Sequence, residues 1–185
     1  MAWCFALGSV CFLIGPIPAY AELVGAAADA ATFFIGSILF TAGGALQVKA
    51  GGGRAARWAA ISQAIGTVYF NVSTFRAMQV AVSSDTYDHR VWRPDLLGSI
   101  CFLISGVIAY QRAGRRGWQP AVNLLGCVFF GASAAAGYVL PATGSMVSET
   151  VANVNTTLGA ACFLACAVPG LRSSRTSDAP AGGPG

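Results

Sequence analysis

Apolar residues fall into six stretches of about twenty, each closed by a polar turn, and a helix of that length is what a bilayer crossing needs. They predict helices over about residues 3–21, 30–48, 58–80, 94–110, 118–139 and 151–171. The fourth stretch opens with Trp92, Arg93, Pro94 and Asp95 and then runs to Tyr110 without a charge. Pro94 suits a helix start, where its missing N–H costs nothing, and Asp95 sits beside the positive helix end. Pro16 and Pro18 should bend the first helix in its outer half. Residues 22–29 read as a short acidic connection, 81–93 as the longest polar loop, and 141–150 as another polar loop. The Ser-, Arg-, Pro- and Gly-rich residues 172–185 read as a disordered tail.

One pattern recurs in every stretch: a glycine followed four residues later by phenylalanine. The copies are Gly8/Phe12, Gly36/Phe40, Gly66/Phe70, Gly98/Phe102, Gly126/Phe130 and Gly159/Phe163. The plainer reading of each is packing, with the glycine admitting a neighbouring backbone and the ring filling the adjacent gap. The copies also align over longer distances. At an offset of ninety residues Gly8, Cys11, Phe12, Ala19 and Tyr20 match Gly98, Cys101, Phe102, Ala109 and Tyr110, while Gly36 and Phe40 match Gly126 and Phe130. Gly66 and Phe70 match Gly159 and Phe163 at ninety-three. The expected fold is therefore all-α, a six-helix transmembrane bundle of two three-helix halves, residues 1–80 and 94–171, joined by an extracytoplasmic connection at 81–93. An odd number of crossings per half inverts the second against the first, as in many transporters.

Composition supports the bilayer: 55% of the 185 residues are hydrophobic and 10% charged, against about 25% charged in soluble domains. A net charge of +4, scattered along the chain, gives no footprint for nucleic acid. Its distribution is informative. Lys49, Arg54 and Arg57, then Arg112, Arg115 and Arg116, then Arg172 and Arg175 fall in alternate connections, and six of the seven acids belong to the other side. By the positive-inside rule both termini are cytoplasmic and the protein crosses a bacterial plasma membrane six times. Ala19-Tyr20-Ala21 has the form of a signal-peptide cleavage site, but no basic residue precedes the first apolar run. All six cysteines lie in apolar runs and act as small hydrophobes. Cys162 and Cys166 are one turn apart without a histidine or carboxylate nearby, so no metal or cofactor is expected.

The third stretch is the most polar, and a polar path is expected along it. Arg76 lies near the outer boundary, where it either snorkels or pairs with Glu22 or Asp95. Asn71 and Thr74 share a face with each other, and Gln63 lies two turns deeper. Such groups either bond across to a neighbouring helix or line a cavity. His89, with Asp85 and Asp88, reads as a solvated loop histidine.

No nucleophile elbow, zinc-protease signature, phosphate loop or dinucleotide fingerprint is present, so no enzyme is expected. Phe70-Asn71-Val72-Ser73-Thr74-Phe75, Val91 to Ser99 and Asn123-Leu124-Leu125-Gly126 resemble a group of uncharacterised actinobacterial integral membrane proteins. The run Phe34 to Phe40 is similar to the short helices of YrhK-like membrane proteins. These resemblances imply a polytopic membrane protein and no catalytic residues. Two functions are expected to compete: a small carrier or channel-like protein, and a non-transporting scaffold that packs partners or lipids. The lipid bilayer is the expected partner, and small-residue faces leave room for a homo-oligomer.

Overall fold

The structure, a computed structural model, describes residues 1–79, 84–114 and 117–177. Helix α1 spans Ala2–Ile14 and α2 spans Pro18–Val24. Between them Ile17 is extended (φ −81°, ψ 117°), the conformation that the following proline favours, and the two helices meet at 92°. Gly25, at φ 83°, then makes a one-residue corner into α3, Ala26–Ala50. The expected single helix over 3–21 and acidic connection over 22–29 are thus corrected to two helices and a glycine corner.

Helix α4 covers Arg54–Ala77. A short α5 (Ser84–Tyr87) and a π-helical turn (Asp88–Trp92) then feed directly into α6, Arg93–Ala113. Pro94 has no N–H to return to residue 90, so the ordinary α ladder cannot close there and a wider turn takes its place. This corrects the loop expected at 81–93, which is helical from Ser84 onward, although His89 itself stays exposed. Helix α7 (Gln119–Ala136) leads through an antiparallel pair, β1 (Val139–Leu140) and β2 (Ser145–Met146), to α8, Glu149–Ser177. Residues 172–177 of the expected tail therefore continue a helix, whereas 178–185, 80–83 and the Arg115–Arg116 pair lie outside the described residues.

The long helices close a ring. α1 packs on α3, α3 on α4, α4 on α6, α6 on α7, α7 on α8, and α8 on α1. Among the described residues four segments are long and apolar enough to cross a membrane: Ala26–Ala50, Asp88–Ala113, Gln119–Ala136 and Glu149–Arg172. The bent pair α1–α2 makes a fifth if counted as one span. This marks a multi-pass helical membrane protein. α4 falls short of that measure because Arg54, Arg57, Gln63, Asn71 and Arg76 interrupt its apolar residues.

Every copy of the repeat is placed alike. The residue before each glycine (Leu7, Ile35, Ile65, Leu97, Leu125, Leu158) is exposed on the outside of the ring. The residue after it (Ser9, Ser37, Thr67, Ser99, Cys127, Ala160) is almost fully buried, and the phenylalanine is buried one turn on. In lipid the apolar exterior gains nothing from leaving its solvent, so helices associate through close packing and hydrogen bonds. Here that packing is reciprocal within three hairpins. Gly8 lies against Phe40 and Gly36 against Phe12; Gly66 against Phe102 and Gly98 against Phe70; Gly126 against Phe163 and Gly159 against Phe130.

The six rings form the core in two layers. Phe12, Phe70 and Phe130 make a triangle with centroids 5.8–6.3 Å apart, all edge-to-face. Phe163 joins Phe40 (6.1 Å) and Phe102 (5.7 Å) in the second layer. Each hairpin links the layers through a pair at 5.3, 5.0 or 5.3 Å. Such contacts add about 0.5–1.5 kcal/mol per pair to ordinary packing.

Candidate functional site

The phenylalanine layers divide the interior of the ring into two chambers. On the Phe12/Phe70/Phe130 side lies a cavity of about 170 Å³ whose polar lining includes Ser73 and Thr74 of α4, Asp95 of α6, Ser133 of α7, and Asn153 and Thr156 of α8. Tyr87, Val91, Trp92 and Met146 border it from the α5, π-turn and β-hairpin segments. On the Phe163 side lies a second cavity of about 370 Å³, whose lining includes the amides of Gln47, Gln63, Gln119 and Asn123, together with Met1 and Cys166. We call these the acid chamber and the amide chamber.

Hydrogen bonds hold the wall of the acid chamber. The Ser73 hydroxyl donates to the Val91 carbonyl at 2.9 Å, tying α4 to the π-turn. Trp92 Nε1 donates to the Ala134 carbonyl at 2.8 Å, and its ring meets Tyr138 at 4.8 Å. Ser133 bonds Thr156 across the α7–α8 interface at 2.6 Å, and Thr74 bonds Ser37 at 2.9 Å. Asp88 is buried, and its Oδ1 accepts the Val139 N–H at 3.3 Å, fastening the β-hairpin over this end. Asp95 differs from all of these. It is half-buried, it lines the chamber, and among the described residues it has no hydrogen-bond or ion-pair partner.

Comparison with family models, curated proteins and solved structures finds no match. The site has to be argued from its own geometry.

That geometry separates the residues expected along the third stretch. Gln63 borders the amide chamber and Thr74 the acid chamber, with Phe70 between them. Asn71 reaches neither chamber lining; its Nδ2 donates to Thr41 Oγ1 at 2.9 Å and its Oδ1 is buried with no partner among the described residues. Arg76 is exposed at the end of α4, its Nη1 donating to Gln79 Oε1 at 3.4 Å. The expected pair with Glu22 or Asp95 is not formed: Glu22 is exposed on α2, while Asp95 points into the chamber. The 92° turn into α2 carries Glu22 off the line of α1, and Asp95 lines the chamber while Arg76 stays on the surface. Ser133, Asn153 and Thr156, which also line the acid chamber, are not singled out by the sequence. Their only signal was a hydroxyl or amide near the same end of α7 and α8.

Tyr87 reports the electrostatics of this end. Burial, then the negative charges of Asp95, Asp88 and Glu149, pushes its hydroxyl up from 10.0 to about 12. The folded chain thus favours the neutral phenol. That stabilisation is whole below the ordinary value and is lost as pH rises towards 12, to a total of roughly 3 kcal/mol. Alkaline titration followed by tyrosinate absorbance should show a late step that Tyr87→Phe removes. Over the same window wild type should lose stability faster than Tyr87→Phe.

Proposed function

We propose that this chain is a six-span protein of the bacterial plasma membrane that acts as a small carrier or channel-like protein, with no catalytic role. The observation that carries the reading is the stacking of two chambers, each with polar side chains in its lining, on opposite faces of a phenylalanine plug. Such an arrangement has the form of an occluded path, with a wetted vestibule at each end and an apolar constriction between. Counting α4 as a crossing is supported by its outer face, where Ile65, Val68, Val72 and Phe75 are exposed like their counterparts on the other helices. Two inverted halves are supported by the plug. The ninety-residue offset exchanges the layers, pairing Phe12 with Phe102 and Phe40 with Phe130, and the ninety-three-residue offset pairs Phe70 with Phe163. The cytoplasmic assignment of both termini is supported by Lys49, Arg54, Arg57, Arg112 and Arg172, which end their helices on the amide-chamber side.

A second reading, a non-transporting scaffold, draws on the density of the plug itself, where every ring is buried and seated against a glycine. Cysteine labelling separates the two. On a cysteine-free background, Gln63→Cys should react with an impermeant maleimide only from the cytoplasmic face and Asn153→Cys only from the opposite face. If neither reacts, the interior is dry and the scaffold reading holds; if both react from one face, the proposed path fails.

A further inference from the structure

We propose that the acid chamber is a binding site for a small organic cation of the alkylammonium class, with Asp95 as its counter-ion. The proposal deepens the carrier reading by naming the cargo, but binding itself does not require transport.

Three observations meet at one place. The first is a half-buried carboxylate with no partner among the described residues, in the wall of a cavity lined by no lysine or arginine. Three arginines of this end lie elsewhere: Arg76, Arg90 and Arg93 are all exposed. A carboxylate removed from water and left unpaired is costly, and a bound cation is what relieves it. The second is the wall. Phe12, Phe33, Phe70, Phe130, Tyr87 and Trp92 border the same cavity, and aromatic faces attract cations, above all poorly hydrated ones. A metal ion would want several carboxylate or imidazole ligands in place of its water, whereas Asp95 is the one such group in this lining among the described residues. The third is size. A cavity of about 170 Å³ holds roughly five waters' share of liquid volume, which suits a cation of about five heavy atoms and excludes a nucleotide or a peptide. Asp88 and Glu149, close enough to act on Tyr87, add negative potential at this end.

Equilibrium binding of radiolabelled tetramethylammonium to the purified full chain in detergent tests the site. Wild type should bind saturably. Asp95→Asn should weaken binding at least tenfold, while Glu22→Gln, on the exposed α2, should leave it unchanged. If Asp95→Asn loses its cooperative unfolding transition, Asn153→Lys replaces it: a tethered ammonium in the chamber should abolish binding. Absence of saturable binding, indifference to both chamber variants, or displacement by an equal concentration of potassium would overturn the proposal. Binding without uptake into proteoliposomes leaves the cation site standing and counts against the carrier; uptake of other solutes without tetramethylammonium binding does the reverse.

Discussion

Gly159→Val is expected to loosen the α7–α8 hairpin by about 3 kcal/mol, the upper end of what overpacking costs. A Cβ at this position falls 2.6 Å from Cδ2 and 2.8 Å from Cε2 of Phe130, and 3.1 Å from the Gly126 carbonyl oxygen. Neither neighbour can give way easily. The ring is held by Phe12, Phe70, Phe102 and Phe163, and the carbonyl belongs to the α7 backbone. Helix propensity runs the other way, since a side chain in place of glycine inside a helix usually gains up to about 1 kcal/mol. Gly159→Ala therefore gives a test of sign: it should destabilise despite its better propensity. Gly53→Ala is the control: Gly53 has open space and an ordinary φ of −62°, so no clash arises and only glycine's advantage over alanine as the N-cap of α4 is lost, under about 1 kcal/mol. Phe130→Leu should recover part of the loss in a Gly159→Ala background, because the two residues share one contact and their effects cannot add. Unfolding midpoints in detergent measure all of these. A Gly159→Ala chain as stable as wild type would mean that the notch does not hold the ring.

Much of this core was legible in advance, and for a physical reason. Glycine and phenylalanine at a fixed spacing of four lie one turn apart on a helix face, so six copies announce six similar faces. What the spacing leaves out is the partner of each face. The ninety-residue offset pointed to helices a half-chain apart, whereas the closest interlocks join sequence neighbours, as Gly66 with Phe102 and Gly98 with Phe70 show. The bend at Pro16–Pro18 was legible, but not its 92°, nor the second corner at the positive-φ Gly25, which fixes where α3 sets off. The acid chamber was barely legible. It draws one or two polar residues each from α4, α6, α7 and α8, and nothing in a linear chain marks six such residues on four helices as facing one point. Asp95 was noticed for its place at a helix start; the π-turn ahead of it and the chamber it faces came from the fold.

Phe130→Ala is expected to join the two chambers, and its effect on flux should exceed that of any other single truncation in the plug. Phe130 touches four other rings and seats against Gly159, so it belongs to both layers more than its companions do. It also borders the acid chamber, and its stacked partner Phe163 (5.3 Å, interplanar 16°) borders the amide chamber. Removing this ring takes away a side chain that lines the acid chamber with Ser133 and Thr156 and stacks on Phe163. The stability cost should be about 3–5 kcal/mol, as for other buried phenylalanine truncations. Leu125→Ala, on the exposed outer face of α7, should cost far less and leave flux unchanged. The carrier and scaffold readings then part over one measurement. If the plug is a gate, proteoliposomes of Phe130→Ala leak small solutes where wild type does not, at protein levels matched by detergent-extracted folded fraction. If the plug is only a core, the variant unfolds at lower temperature and the vesicles stay as tight as before.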